Sequence, residues 1–118
     1  MTSAAPKLAN DQQTTIQDVK QWMAEFVAER NWERFHNAKN LTMSMAIETG
    51  ELLEHFQWLT TEEVVAGDGF EKQEVEEEIA DVACYLISLA NALEVDLAAA
   101  IQRKMVKNRI KYPVETAE

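Results

Sequence analysis

Two pairs of acidic residues have the type and spacing that a metal site needs. Glu48 and Glu51 form the first pair, and Glu78 and Asp81 form the second. Residues three apart lie next to each other on one face of a helix, so each pair presents two carboxylates together. Carboxylate oxygens are the ligands that hard divalent cations prefer. The two pairs therefore predict a divalent-metal site between two packed helices.

The position of these acids strengthens the prediction. Glu48 lies between Met45 and Leu52 on an apolar stripe, where the periodicity calls for a hydrophobic residue, and Glu78 and Asp81 lie at the edge of a second stripe. An ionised carboxylate at the edge of a core is costly unless it is paired or bound to metal. Four converging carboxylates also repel one another strongly without a cation. Acidic pairs that arise by chance on solvated helix faces are the alternative.

An all-oxygen ligand set favours Mg²⁺ or Mn²⁺ over zinc. Di-iron carboxylate bundles, which include oxidases and storage proteins, use Glu-x-x-His pairs. Here His55 follows Glu51 by four residues, so that pattern is missing and the di-iron class is disfavoured.

Helical periodicity surrounds both acidic pairs. Gly and Pro are scarce, good helix formers dominate, and no stretch has the alternation of a strand. The predicted helices cover about 15–30, 41–59, 71–93 and 96–111. Thr15, Asn40 and Asp96 are predicted to cap the first, second and fourth of them. The sequence therefore predicts an all-α, four-helix bundle-like fold.

A chain of 118 residues has room for one domain. We expect it to cover 14–114, between tails at 1–13 and 115–118. No apolar segment is long enough to cross a bilayer, and no signal peptide is evident at the N-terminus. The single cysteine, Cys84, cannot form an internal disulfide. These features predict a cytoplasmic protein without a membrane partner.

The charges are distributed unevenly. The chain has 21 acidic and 11 basic residues and a net charge of −10, which argues against binding to a nucleic-acid polymer. Residues 62–81 hold many acids and one base, whereas residues 103–111 hold bases and no acid. This separation suggests that the acidic segment binds a metal and that the basic segment binds an anion. The alternative is that both segments are simply solvent-exposed helix faces.

The motif Glu48-x-x-Glu51 followed by Glu78-x-x-Asp81 resembles the ExxE…ExxD signature of the MazG-like all-α nucleotide pyrophosphohydrolases. The surrounding stretches are similar to the dCTP pyrophosphatase branch of that family: ERNWERFH at 29–36, ETGEL at 48–52, FQW at 56–58 and KMVKNRIKYP at 104–113. The resemblance extends from Ile16 to Val114. It implies Mg²⁺-dependent hydrolysis of a nucleoside triphosphate, dCTP or a modified dCTP, to the monophosphate and pyrophosphate, as nucleotide-pool housekeeping.

The resemblance also implies roles for individual residues. The four carboxylates would hold the metal and act in catalysis, with Glu48 or Glu51 orienting the attacking water. The β and γ phosphates would be held by Lys104, Asn108, Arg109, Lys111 and Tyr112. Trp32 and Trp58 would stack on the base, with His36 nearby and Tyr85 closing the sugar side. Trp22 and Phe26 are assigned to the core. Relatives in this branch can carry a polar residue on the first helix near the base, where this chain departs from them with Met23.

The third predicted helix is apolar over a wide face that includes Leu86, Leu89 and Leu93. A bundle of this size leaves such a face partly uncovered, which predicts at least a homodimer. The resemblance implies a homotetramer. The alternative function is a non-catalytic acidic helical oligomer that uses the carboxylates for a structural metal and binds a protein partner.

Overall fold

The computed structural model describes residues 8–115, and every regular element in that range is helical. The predicted tails include residues 1–7 and 116–118, which lie outside the described range. The α-helices are α1 (Ile16–Glu29), α2 (Ala38–Glu54), α3 (Thr61–Ala66), α4 (Lys72–Ala92) and α5 (Leu97–Lys111), and a short 3-10 helix covers Glu33–Phe35. The predicted all-α class is confirmed.

Side-chain caps fix the starts of α1 and α5 as the sequence predicts. The Thr15 hydroxyl accepts a hydrogen bond from the Asp18 amide, and the Asp18 carboxylate accepts one from the Thr15 amide. The Asp96 carboxylate accepts a hydrogen bond from the Ala99 amide at 3.0 Å. These interactions satisfy amides that the first helical turn leaves without partners.

The second predicted helix, 41–59, is displaced and divided. It begins at Ala38 because Asn37, not Asn40, is extended and accepts a hydrogen bond from the Asn40 amide at 2.9 Å. It ends at Glu54, and the chain then turns so that Phe56 packs edge-on against Phe70 with ring centroids 5.1 Å apart. The predicted boundaries were wrong because they were taken from the spacing of apolar residues. The cap at Asn37 and the contact of Phe56 with Phe70 depend on residues outside that pattern.

A further short helix, α3, was not predicted. Thr60 and Glu63 form a complete capping box that begins it, and Gly67 ends it in the left-handed conformation with φ 79°. Gly69 also has a positive φ, and a Cβ there would lie 2.7 Å from a methyl carbon of Leu59. These two glycines let the chain turn back to the start of α4.

The core forms where α1 and α2 pack against α4. Its buried side chains come from all three helices and are Val27, Leu41, Val75, Ile87 and Ala90. Because α2 and α4 carry the two acidic pairs, this packing decides how close the carboxylates come.

Helix α5 stands apart from the other three long helices. It leaves α4 at an angle of 102° and makes only marginal contact with the rest of the described chain. Lys20 Nζ donates to the Val95 carbonyl at 2.8 Å, and Asn91 Nδ2 donates to the Lys20 carbonyl at 2.9 Å, which fixes this corner. The radius of gyration, 17.9 Å, exceeds the roughly 13.5 Å of a compact chain of this length. One chain thus packs three long helices together, not four.

The predicted apolar stripes of α4 and α5 are left largely uncovered in the single chain. Leu86 and Leu93, from the wide apolar face of α4, are exposed, and so are Ile101 and Met105 on α5. Within residues 8–115 no single helix meets the length and apolarity needed to cross a membrane, and α4 with α5 does so only as a bent pair.

Candidate active site

The packing of α2 on α4 brings the acidic pairs together. One carboxylate oxygen from each of Glu48, Glu78 and Asp81 lies within 4.8 Å of the other two. We call these three residues the carboxylate cluster. Glu51 lies outside it, one helical turn after Glu48, and is exposed. The structure therefore places three of the four predicted metal ligands at a spacing that one cation can bridge, with the fourth beside them.

Two oxygens of the carboxylate cluster are buried without a partner. Oε2 of Glu48 and Oε2 of Glu78 accept no hydrogen bond from any group in the described part of the chain. Buried polar atoms are normally hydrogen-bonded, and an unpaired carboxylate oxygen is among the most costly exceptions. These two oxygens can coordinate a divalent cation through the lone pairs that no hydrogen bond uses.

The pKa values of two carboxylates in the cluster are raised, as expected for acids that lie close together without a cation. Burial, followed by the carboxylate of Glu51 and the other acids of the site, raises the pKa of Glu48 to about 7. Burial and the neighbouring Glu51 and Asp81 carboxylates also raise the pKa of Glu78, and the nearby His55 opposes this rise. His55 is half-buried at the end of α2 and is not part of the carboxylate cluster.

No basic side chain of residues 8–115 neutralises the cluster. The ion pair found in this range joins Arg30 to Glu29, far along the chain from the acidic pairs. The predicted phosphate-binding residues all lie on α5 or directly after it, and most are exposed: Lys104, Asn108, Arg109, Lys111 and Tyr112. Because α5 stands apart, the structure does not bring these residues to the cluster of their own chain.

An aromatic cavity of about 450 Å³ lies beside the cluster, between α1, the 3-10 helix and α4. We call it the aromatic slot. Its aromatic lining residues are Trp22, Phe26, Trp32 and Tyr85, and the others are Met23, His36, Asp81, Cys84 and Ser88. The rings of Trp32 and His36 are nearly parallel with centroids 6.5 Å apart, and Phe26 meets Trp32 edge-on at 5.7 Å. Asp81 belongs both to the slot and to the cluster, so the two sites are continuous.

Three of the four predicted base- and sugar-binding residues line this slot, and the fourth does not. Trp32, His36 and Tyr85 lie there as the sequence predicts, and so does Met23. Trp58 is 87% exposed, follows the end of α2 and lines no part of the slot in its own chain.

The assignment of Trp22 and Phe26 to the core was wrong. Their side chains are 48% and 43% exposed and line the slot instead. Sequence reasoning also missed Cys84 and Ser88 as lining residues. The available signal was their spacing, since they follow Asp81 by three and seven residues and so share its face of α4.

The sequence of this chain is similar to those of known proteins. The model of the MazG-like family matches residues 43–118. The chain is 40% identical to dCTP pyrophosphatase 1 of Bos taurus over 115 residues, which are 96% of this chain and 68% of that protein. It is also 40% identical to dCTP pyrophosphatase 1 of Homo sapiens over 119 residues, covering 98% and 69% of the two chains.

A solved structure of a pyrophosphatase from Archaeoglobus fulgidus has the same fold. It superposes with a TM-score of 0.79 at 39% sequence identity, and the match covers 92% of this chain and all of that one. The family model and the relatives together show that the chain belongs to the MazG-like family.

Proposed function

We propose that this protein is a divalent-metal-dependent nucleoside triphosphate pyrophosphohydrolase that converts dCTP, or a modified dCTP, to the monophosphate and pyrophosphate. The observation that carries the proposal is the continuity of the carboxylate cluster with the aromatic slot through Asp81. A nucleotide with its base in the slot would place its phosphates next to the cluster. The names of the relatives, dCTP pyrophosphatase 1, support cytosine as the base.

In this proposal Glu48, Glu78 and Asp81 hold Mg²⁺, or Mn²⁺ in its place. The all-oxygen donor set and the two unpartnered buried oxygens support a hard cation. When bound, the cation polarises phosphate oxygens and lowers the pKa of a bound water. Glu51, which lies outside the cluster beside Glu48, is suited to accept a hydrogen bond from the attacking water and so orient it.

The base enters the aromatic slot, where Trp32 and His36 form a nearly parallel pair of rings. Stacking on such a surface binds a base without specifying it, whereas Tyr85 at the edge next to Asp81 can contact the sugar. An aromatic ring packed against the sugar disfavours a 2′-hydroxyl, because that hydroxyl loses its hydrogen-bond partners.

The phosphate-binding residues on α5 act, in this proposal, in a homo-oligomer. No Lys or Arg within residues 8–115 forms an ion pair with the cluster, while the basic helix α5 and the apolar stripes of α4 and α5 are uncovered. A second copy packed on these stripes would cover them and would carry Lys104 and Arg109 towards a cluster. The assembly is a dimer or, by the family resemblance, a tetramer. Trp58 can serve as a base-stacking residue only across such an interface.

The role that fits this activity is nucleotide-pool housekeeping in the cytoplasm, where the free thiol of Cys84 is stable. The net charge of −10 supports a free nucleotide, and not a nucleic-acid polymer or an anionic membrane, as the partner.

The direct test incubates the protein with each dNTP and MgCl₂ and measures nucleoside monophosphate, pyrophosphate and inorganic phosphate separately. We expect monophosphate and pyrophosphate in equal amounts, with dCTP among the best substrates, and no turnover by Asp81→Asn. Release of inorganic phosphate would contradict the cleavage position. Stabilisation by Mg²⁺ without turnover of any nucleotide would favour the non-catalytic alternative.

A further inference from the structure

Ser88 is a buried hydroxyl without a hydrogen-bond partner. The residue is 4% exposed on α4, and its Oγ bonds to no group within residues 8–115. Hydroxyls on helices commonly bond to the carbonyl four residues earlier, as Thr42 does to Ala38 at 2.6 Å and Thr49 to Met45 at 2.8 Å. Ser88 lacks this bond. An unpaired buried hydroxyl reduces stability, so its presence calls for an explanation outside the fold itself.

Two cavities meet at this residue. The aromatic slot adjoins a second cavity of about 480 Å³ between α1 and α4, which we call the inner cavity. Both are lined by Met23, His36 and Ser88. The inner cavity exists because small side chains, Ala24, Ala28 and Ala92, face each other across the two helices. Each cavity has the size of a small-molecule site.

The polar groups of the inner cavity are few. The amide nitrogen of Asn91 is already used, since it donates to the Lys20 carbonyl at 2.9 Å. Glu33 and His36 add polar side chains from the 3-10 helix and its end, and the lining residues of α1 are apolar. Ser88 is the buried, unpaired hydroxyl where the two cavities meet, so a base in the slot can direct a substituent past it into the inner cavity.

Resting on the proposed function, we propose that Ser88 is a specificity-determining residue that hydrogen-bonds a polar substituent on the pyrimidine ring of the nucleotide. The substrate class favoured by this contact is a pyrimidine deoxynucleoside triphosphate with a small polar group on the ring. The substituent occupies the start of the inner cavity, while the unsubstituted part of the base stays in the aromatic slot. An apolar substituent of the same size leaves the Ser88 hydroxyl unpaired.

A matched pair of nucleotides isolates this hydrogen bond. 5-Hydroxymethyl-dCTP and 5-methyl-dCTP differ by one oxygen atom, so the ratio of their Kd values reports the contact with that oxygen. Calorimetry in MgCl₂ with the α,β-methylene forms of both nucleotides, which cannot be cleaved between the α and β phosphates, measures both Kd values without hydrolysis. We expect the parent to bind the hydroxymethyl compound about fivefold to tenfold more tightly, and Ser88→Ala to bind the two compounds equally.

Ser44→Ala is the matched control. Ser44 lies on α2 and lines a neighbouring cavity that shares Trp32, His36 and Tyr85 with the slot. Because Ser44 itself lines neither the slot nor the inner cavity, the same chemical change there should leave the ratio of Kd values as in the parent. The melting temperature of ligand-free Ser88→Ala should equal or exceed that of the parent, because the substitution removes an unpaired buried hydroxyl from a helix. A hydroxyl with a structural role would instead lower the melting temperature.

The two proposals fail in different ways. Absence of dCTP turnover by the parent with Mg²⁺ counts against the proposed function and leaves the ratio of Kd values for the uncleavable analogues as a separate measurement. Three results would overturn the role of Ser88. The parent could bind the two analogues with equal Kd values, Ser88→Ala could keep the ratio of Kd values of the parent, or the parent could bind neither analogue.

Discussion

Mg²⁺ binding to the carboxylate cluster should weaken as the pH falls below 7. In the metal-free chain the pKa of Glu48 is raised from 4.5 to about 7, first by burial and then by neighbouring carboxylates. Because the folded-state pKa is the higher one, the folded chain gains stability from this group below pH 4.5 and loses it as the pH rises through 7. Mg²⁺ must displace the same proton, so protons compete with the metal from about pH 7 downwards and the competition grows as the pH falls.

The size of the effect follows from ligand linkage. Mg²⁺ at one hundred times its Kd stabilises the folded state by about 2.7 kcal/mol. For a domain of this length that is a rise in melting temperature of about 10 °C. A single competing proton with a pKa near 7 reduces the apparent affinity about tenfold between pH 8 and pH 6. At a fixed Mg²⁺ concentration, the increase in melting temperature caused by the metal should therefore be roughly half as large at pH 6 as at pH 8.

Thermal melts in EDTA and in MgCl₂ at pH 6 and pH 8 measure these quantities. Glu48→Gln keeps the shape of the side chain and removes its charge, so at pH 8 it should melt higher than the parent in EDTA and gain little from MgCl₂. Glu76→Gln is the control, because Glu76 is an exposed acid on α4 outside the cluster. The same Mg²⁺ response in Glu48→Gln and the parent, or a parent response independent of pH, would refute the metal-site assignment.

Three further predictions concern nucleotide binding and assembly. Trp32→Ala should weaken dCTP binding roughly tenfold to one hundredfold by calorimetry but leave inorganic tripolyphosphate unaffected; equal losses for both ligands would make Trp32 structural. Lys104→Ala and Arg109→Ala should lower kcat/KM by a similar factor for every dNTP, since phosphate contacts carry no base information, and a changed preference between dCTP and dTTP would contradict this. Leu93→Glu, on the uncovered stripe of α4, should split the oligomer in light scattering and reduce turnover; a monomeric, fully active parent would exclude the assembly.

Local signals allowed the sequence to predict the fold class and the carboxylates. Helix caps depend on residues three apart, which is why Thr15 and Asp96 were found correctly. The acidic pairs were detectable because Glu48 and Glu78 replace hydrophobic residues at the edge of apolar stripes. Both residues are half-buried with an unpartnered oxygen, so the structure shows the anomaly that the pattern indicated.

The aromatic slot could not be separated from the core by periodicity. Trp22 and Phe26 recur on α1 at the spacing of a buried stripe, and this spacing is the same whether the facing helix closes on them or leaves a gap. A gap depends on side-chain size on both helices: in the inner cavity, which adjoins the slot, Ala24, Ala28 and Ala92 are too small to fill the space between α1 and α4. A stripe in which large aromatic residues alternate with alanines is the signal that would have favoured a cavity over a closed core.

The placement of α5 depends on interactions that one chain does not contain. Its periodicity predicted a fourth member of the bundle, yet within residues 8–115 its stripe makes only marginal contact with the other helices and none of its bases forms an ion pair. A triphosphate brought to Glu48, Glu78 and Asp81 adds negative charge to a site whose own carboxylates already repel one another. One cation cannot balance both, so the basic residues of α5 are needed close to the phosphates. A second copy satisfies this electrostatic requirement and covers the apolar stripes in the same contact, which is why assembly and activity are expected to fail together in Leu93→Glu.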